Sequence, residues 1–256
     1  MKISVLPIAY SNNGKEDVLY PVLLQQANEV ILVDCGYEET LPQLEKALQK
    51  KGCSISQLTG LVLTHHDIDH VGAAHALKQK NPSLLIYASP LEAAWISGQE
   101  KPLRLQQAES IYTCLPESQK PAAEAFQSYL ASVKPVAVDC FLEEGCSWPL
   151  AAFVDIVATP GHTPGHISLY IKNEQTLLAA DAVVLEENRL ELANPQYAIS
   201  LPEAIASAEK LGRLPIQKLV CYHGGVMMQN TADAFAALLE KWKTPQQQVA
   251  LFAAGS

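Results

Sequence analysis

Apolar residues follow two rhythms along this chain. Short runs closed by polar residues, glycine or proline read as strands at 2–9, 18–26, 29–35, 60–64, 84–88, 136–139, 153–158, 167–172, 176–180 and 218–222. The run 29–35, EVILVDC, has no polar alternation and predicts a strand buried on both faces. The turn-rich SNNGK joins the first two strands. Spacing of three and four predicts helices at 41–51, where Leu41, Leu44, Ala47 and Leu48 share a face and Gly52 is a stop, and from His70 to about 80, at 202–211 and at 231–241. Between 91 and 134 helical pattern dominates, interrupted by Pro102, Pro116 and Pro121, with the clearest helices at 103–114 and 121–133. Each half of the chain runs strands, helix, strand. This order predicts an α/β fold, a four-layer αββα sandwich formed by one domain over 1–256, with 91–134 as a helical insertion that caps a site.

The polar residues that close the strands change the picture. Leu61, Val62 and Leu63 lead directly into Thr64, His65, His66, Asp67, Asp69 and His70. Imidazoles and carboxylates at the end of a buried strand are destabilising unless they are paired or bind a cation, which makes this loop a candidate metal site. Further donors stand at other strand ends: His162 within TPGHTPGH, Asp181 after TLLAA, and His223 before Gly224 and Gly225. Loops at the ends of several strands of one sandwich can converge on one edge.

Charge narrows the partners. The 256 residues carry a formal net charge of -9, with no run of Lys or Arg, which argues against nucleic acid or an anionic membrane as partner. No stretch approaches the ~20 apolar residues of a spanning helix, and the start lacks the basic-then-apolar pattern of an export signal. The six cysteines contain no CxxC and are expected to be reduced thiols, consistent with a cytoplasmic protein. A small-molecule substrate is expected; the sequence leaves the oligomeric state open.

The ordered set THxDxDH, TPGHTPGH, a strand-terminal Asp, and His-Gly-Gly resembles the metallo-β-lactamase-fold superfamily, and Asp34-Cys35-Gly36 resembles its early Asp-x-Gly turn. The resemblance covers most of the chain outside 91–134. It implies two divalent cations: His65, Asp67 and His162 around the first, Asp69, His70 and His223 around the second, and Asp181 between them. It further implies a hydroxide held between the cations, roughly 3.5–4 Å apart, that attacks the carbonyl of a small ester, lactone or thioester, with Asp69 and Asp181 as catalytic groups. The commonest form of the motif is HxHxDH, and Asp67 departs from it. The alternative that the first site is lost stands beside the two-metal reading. Zinc is the expected metal, with manganese or iron brought closer by the oxygen donor of Asp67. The resemblance to lactonases is weakened because Val184 stands where they carry a tyrosine shortly after the bridging Asp. Two further readings are a di-iron redox protein of the same fold, whose relatives carry Glu at the place of Asp67, and a metabolite-binding module with little turnover.

Other residues receive structural roles. His66 faces away from the metals. His166 makes a hydrogen bond within its turn, and His75 belongs to its helix. Asp34 accepts backbone N–H groups of the metal loop. Tyr222 points opposite to His223 into the core. Cys35 and Cys221 serve as small buried hydrophobes.

Overall fold

The computed structural model describes residues 1–12 and 15–243. In chain order its elements begin with β1 (Lys2–Val5), β2 (Ile8–Asn12), β3 (Lys15–Leu19), β4 (Val22–Gln26), β5 (Glu29–Val33), α1 (Leu41–Lys50), β6 (Gly60–Leu63), α2 (Ile68–Val71), α3 (Ala74–Lys80) and β7 (Leu85–Ala88). Helices α4 (Pro90–Ile96), α5 (Leu103–Tyr112) and α6 (Lys120–Ala131) follow, before β8 (Cys140–Phe141). The second half holds β9 (Val154–Ala158), β10 (Ile167–Ile171), β11 (Thr176–Ala180), β12 (Val184–Glu186), β13 (Arg189–Glu191), α7 (Leu201–Gly212), β14 (Lys218–Cys221), β15 (Gly225–Met227) and α8 (Thr231–Trp242).

One sheet has the order β1-β4-β5-β6-β7-β8 and the other β15-β14-β11-β10-β9, with β2-β3 and β12-β13 as separate hairpins. The alternation of side chains along each strand explains why both faces of both sheets are apolar. Ile31, Val33, Val62 and Tyr87 of the first sheet meet Ile156, Leu169, Leu178 and Val220 of the second. The intervening residues Leu32, Leu61, Leu63 and Ile86 face outwards against Leu44, Leu48 and Leu77 of α1 and α3. On the far side Leu177, Leu219 and Cys221 pack on Ala208 and Leu211 of α7 and Phe235 and Leu238 of α8. The result is the αββα sandwich that the pattern predicts.

Local differences from the sequence reading have local causes. The strands expected at 2–9 and 18–26 each split in two, at Pro7 and Pro21, because proline has no N–H for the ladder. The strand expected at 136–139 is absent; pairing begins at Cys140. There the Asp139 N–H donates to Ile86 O (2.8 Å) and its carboxylate accepts the Ile86 N–H (2.8 Å), so a side chain stands in for the next ladder bond. Helix α4 falls in the helical region expected from 91 onwards without having been singled out, and the hairpin β12-β13 and strand β15 escaped the sequence reading.

The direction of the strands places the chemistry. β5, β6 and β7 are parallel. β9 and β11 both run antiparallel to β10, and β11 is parallel to β14. The C-terminal ends of β9, β11 and β14 therefore lie at one edge of the second sheet. A bond from Ile167 N–H to Thr64 O (3.1 Å) ties that edge to the end of β6.

Candidate metal centre

Two loops and two strand ends deliver the donors. After β6 the chain passes Thr64, His65, His66 and Asp67 and enters the single turn α2, which carries Asp69 and His70. His162 lies in the β9–β10 connection. Asp181 follows Ala180, which sits in the left-handed region (φ 47°) just past a register shift in β11 and turns the chain out of the strand. His223 follows β14. Glycine is required beside two of these donors. A Cβ on Gly161 would meet Ala204 N at 2.1 Å, and one on Gly224 would meet Leu185 O at 1.9 Å, both at positive φ.

All seven predicted residues come together. His162 Nε2 lies 3.0 Å and His65 Nε2 3.7 Å from Asp67 Oδ2. His223 Nε2 lies 3.0 Å and His70 Nε2 3.6 Å from Asp69 Oδ2. Asp181 stands between the two groups: Oδ1 is 3.3 Å from His70 Nε2, and Oδ2 is 3.7 Å from His162 Nε2 and 3.6 Å from His223 Nε2. Donor atoms of His65, Asp67 and His162, of His65, His70 and Asp181, and of Asp69, His70 and His223 form three sets, each within 4.8 Å. His65 Nε2, His70 Nε2 and Asp181 Oδ1 are buried without a hydrogen-bond partner. Buried polar atoms are normally paired, so converging orphans of this kind fit a cation.

Hydrogen bonds fix which imidazole nitrogen is offered. Asp34, left-handed at φ 57° after β5, accepts from Thr64 N–H (2.9 Å), the Thr64 hydroxyl (2.9 Å) and His70 Nδ1 (2.9 Å). The carboxylate can only accept, so His70 donates through Nδ1 and turns Nε2 to the cluster. Thr64 has given its hydrogen to Asp34, so its oxygen accepts from His65 Nδ1 (3.1 Å), which again leaves Nε2 facing inwards. Asp34 thus does more than hold backbone N–H groups, the role expected of it. Tyr222 is buried as expected, yet it also serves the site: its ring lies 3.9 Å from that of His70, and its hydroxyl donates to Asp69 O at 2.7 Å. His166 bonds Thr159 Oγ1 within its turn (2.8 Å) and accepts the Asp181 N–H at Nε2 (3.1 Å).

With protein groups alone, the histidines divide. Burial, reinforced by the positive charge of His70, pushes His65 well below its ordinary value. Burial pushes His166 the same way, to about 3. Burial also opposes charge on His70, but Asp181, Asp34 and Asp69 outweigh it and hold the group well above the ordinary range. His223 is held up at about 9, where Asp181 and Asp69 overcome burial. Asp67 is driven well down: burial would raise it, but Arg104 and His162 prevail.

Two charged residues of the site escaped the sequence reading. Glu92 of α4 is fully buried. Its Oε1 accepts from Thr163 Oγ1 (2.7 Å) and Gly165 N–H (2.8 Å), and its Oε2 accepts from the N–H (3.0 Å) and Nδ1 of His66. His66 Nε2 accepts the Leu103 N–H (3.3 Å), so that ring is used up facing away from the cluster, as expected. Arg104 of α5 reaches Asp67 Oδ2 at 2.8 Å. A cleft of about 870 Å³ opens over Asp69, Asp181 and His223, with Tyr37, Arg189 and Tyr197 among its walls.

Comparison with known proteins agrees with this fold. The Metallo-beta-lactamase superfamily matches residues 20–223. The chain is 26% identical over 222 residues to the probable metallo-hydrolase YflN of Bacillus subtilis (strain 168), covering 81% of this chain and 80% of that one. It is 27% identical over 225 residues to a hydroxyacylglutathione hydrolase of Enterobacter sp. (strain 638), covering 86% of this chain and 66% of that protein. Among solved structures, a metallo-beta-lactamase family protein from Thermus thermophilus superposes with a TM-score of 0.74 at 23% identity, over 94% of this chain and 79% of the other.

Proposed function

Since the chain belongs to the metallo-beta-lactamase superfamily, we propose that it is a two-cation hydrolase that opens a small ester, lactone or thioester. The observation that carries this reading is the set of buried, unpartnered donor atoms converging from separate loops. His65, Asp67 and His162 would hold one cation, Asp69, His70 and His223 the other, and Asp181 would serve both. When bound, the cations supply a water-derived nucleophile at neutral pH and a Lewis acid for the carbonyl oxygen. The chain's own residues do the rest. Asp34 and Thr64 hold His70 and His65 in one ring orientation. Asp69, at the cleft floor and within 3.0 Å of His223, orients the attacking water and takes its proton. Glu92, fully buried, ties this loop to α4 and to the 163–165 turn.

Zinc is the metal that four imidazoles with carboxylates favour, and the Asp67 oxygen widens the choice to manganese or iron. Among the substrates, the thioester is supported by the likeness to a hydroxyacylglutathione hydrolase. A cytoplasmic location accords with an acidic chain whose six cysteines are free thiols. Metal analysis of protein purified without added metal, followed by a panel of lactones, aryl esters and thioesters, tests the reading. Two cations per chain and turnover that falls at least ~1000-fold in Asp181→Ala, about 4 kcal/mol, are expected; unchanged turnover in that variant would sink the two-cation reading. Asp67 favours one second reading, a di-iron redox protein, whose mark would be an iron chromophore with oxygen consumption.

A further inference from the structure

The Asp67–Arg104 pair is the unusual feature of the centre. We propose that Arg104 is a positioning residue that sets the affinity of the first cation: it shares the carboxylate oxygen that faces His65 and His162, and its charge offsets that of Asp67. This rests on the two-cation reading above. Arg104 Nη2 lies 2.8 Å from Asp67 Oδ2, the same atom that stands 3.0 Å from His162 Nε2 and 3.7 Å from His65 Nε2. Oδ1 of the same carboxylate is buried and has no partner. The oxygen turned towards the two imidazoles is therefore the one already engaged by a fixed positive charge. A guanidinium on the donor oxygen of a cation site withdraws electron density from it and repels the cation, and low dielectric strengthens both effects.

Arg104 is held in place for this task. Nη1 donates to Gln107 Oε1 (2.7 Å) and to Tyr197 O (2.6 Å), and the guanidinium lies over the Tyr197 ring, 4.9 Å from its centre. Its side chain is only 10% exposed. Such a guanidinium has no freedom to swing out and grip a substrate. The first group, two imidazoles and one carboxylate, then has no net charge once Arg104 is counted. The second group has Asp69 with no arginine or lysine paired to it among the described residues. The arrangement makes the first cation the weaker one and ties its binding to α5 and to the 197 loop.

The experiment is a stepwise cobalt(II) titration of the full chain, followed by visible absorption and by competition with a chelator. Wild type should show two steps, and Asp67→Ala should lose one, which identifies the first group. In Arg104→Gln that step should tighten by about tenfold or more, with the other step unchanged within about twofold, the scatter expected of independent sites. Arg104→Lys, which keeps the charge, should titrate like wild type. Arg104→Met is the second neutral variant, used if Arg104→Gln does not fold. A first step that is unchanged or weaker in the neutral variants, or a Lys variant that behaves like them, would overturn the proposal. An Asp67→Ala variant that keeps both cations would overturn Asp67 as a donor of the first group and the proposal with it, whereas a wild type that binds one cation would instead overturn the two-cation reading on which it rests.

Discussion

His66 and His70 leave the same loop on opposite sides, and each meets a buried carboxylate through Nδ1. His66 meets Glu92, and His70 meets Asp34 at 2.9 Å. The two environments differ at the other nitrogen. His66 Nε2 accepts a backbone N–H from Leu103, whereas His70 Nε2 has no partner and faces Asp69, Asp181 and His223. Both carboxylates are saturated with donors, but those of Glu92 join α4 to the loop after β6 and to the 163–165 turn, while those of Asp34 orient His70 and Thr64 at the donor cluster. A carboxylate–histidine pair is thus structural or functional according to whether the second nitrogen is used up by the protein. The lesson extends to His65, whose Nδ1 is bound to Thr64 and whose Nε2 is free.

The largest expected effect lies on the structural side. Glu92→Ala removes the acceptor of four buried donors and should lower unfolding free energy by about 3–5 kcal/mol, read by urea denaturation of the chelated protein. A variant as stable as wild type would erase the distinction between the two pairs. Asp34→Asn acts on the other side. It should weaken cation binding by about 10–100-fold while Glu92→Gln changes it little, and equal losses in both titrations would place Glu92 in the centre after all.

The protonation of the second group supplies a smaller effect. His70 and His223 are both raised above the ordinary histidine value, His223 to about 9. Both protons stabilise the chelated fold fully below pH ~6.5, and the contribution of His223 disappears as pH rises through about 9. A cation must displace those protons. The drop in Tm on chelation should therefore widen, by a few degrees on the scale of ~1 kcal/mol, between pH 6.5 and pH 9. A drop that narrows over that range would contradict the assignment. The smallest change is expected at His75, on the exposed face of α3, where Nδ1 bonds Pro135 O. His75→Ala should alter stability by no more than about 0.5 kcal/mol and leave the cobalt titration unchanged, setting the baseline against which His66 and His70 are judged.

Much of the centre is legible in the sequence because its donors violate a local rule. Apolar strands that end in His or Asp, as at His65, Asp181 and His223, announce polar groups at the rim of a core, and Gly161 and Gly224 mark the close approaches beside them. Glu92 and Arg104 carry no such mark. In PLEAAW the glutamate lies in a stretch that the pattern singles out for no particular helix, and Arg104 reads as an ordinary helical base. Their partners lie 26 and 37 residues away, and no periodicity connects them. Tyr222 was legible as buried but not as the ring stacked on His70.

By itself the sequence determined the layers and the donor set: alternation within β5, β6, β11 and β14 dictates two apolar faces per sheet, and burial makes each strand-terminal imidazole or carboxylate conspicuous. Only the tertiary structure decided how those donors are charged and aimed. Whether Asp67 stands alone or beneath a guanidinium, and whether a histidine nitrogen is spent or open, depends on distances set by helices that fold back from elsewhere in the chain. Electrostatic interactions depend on through-space separation and take no account of sequence distance.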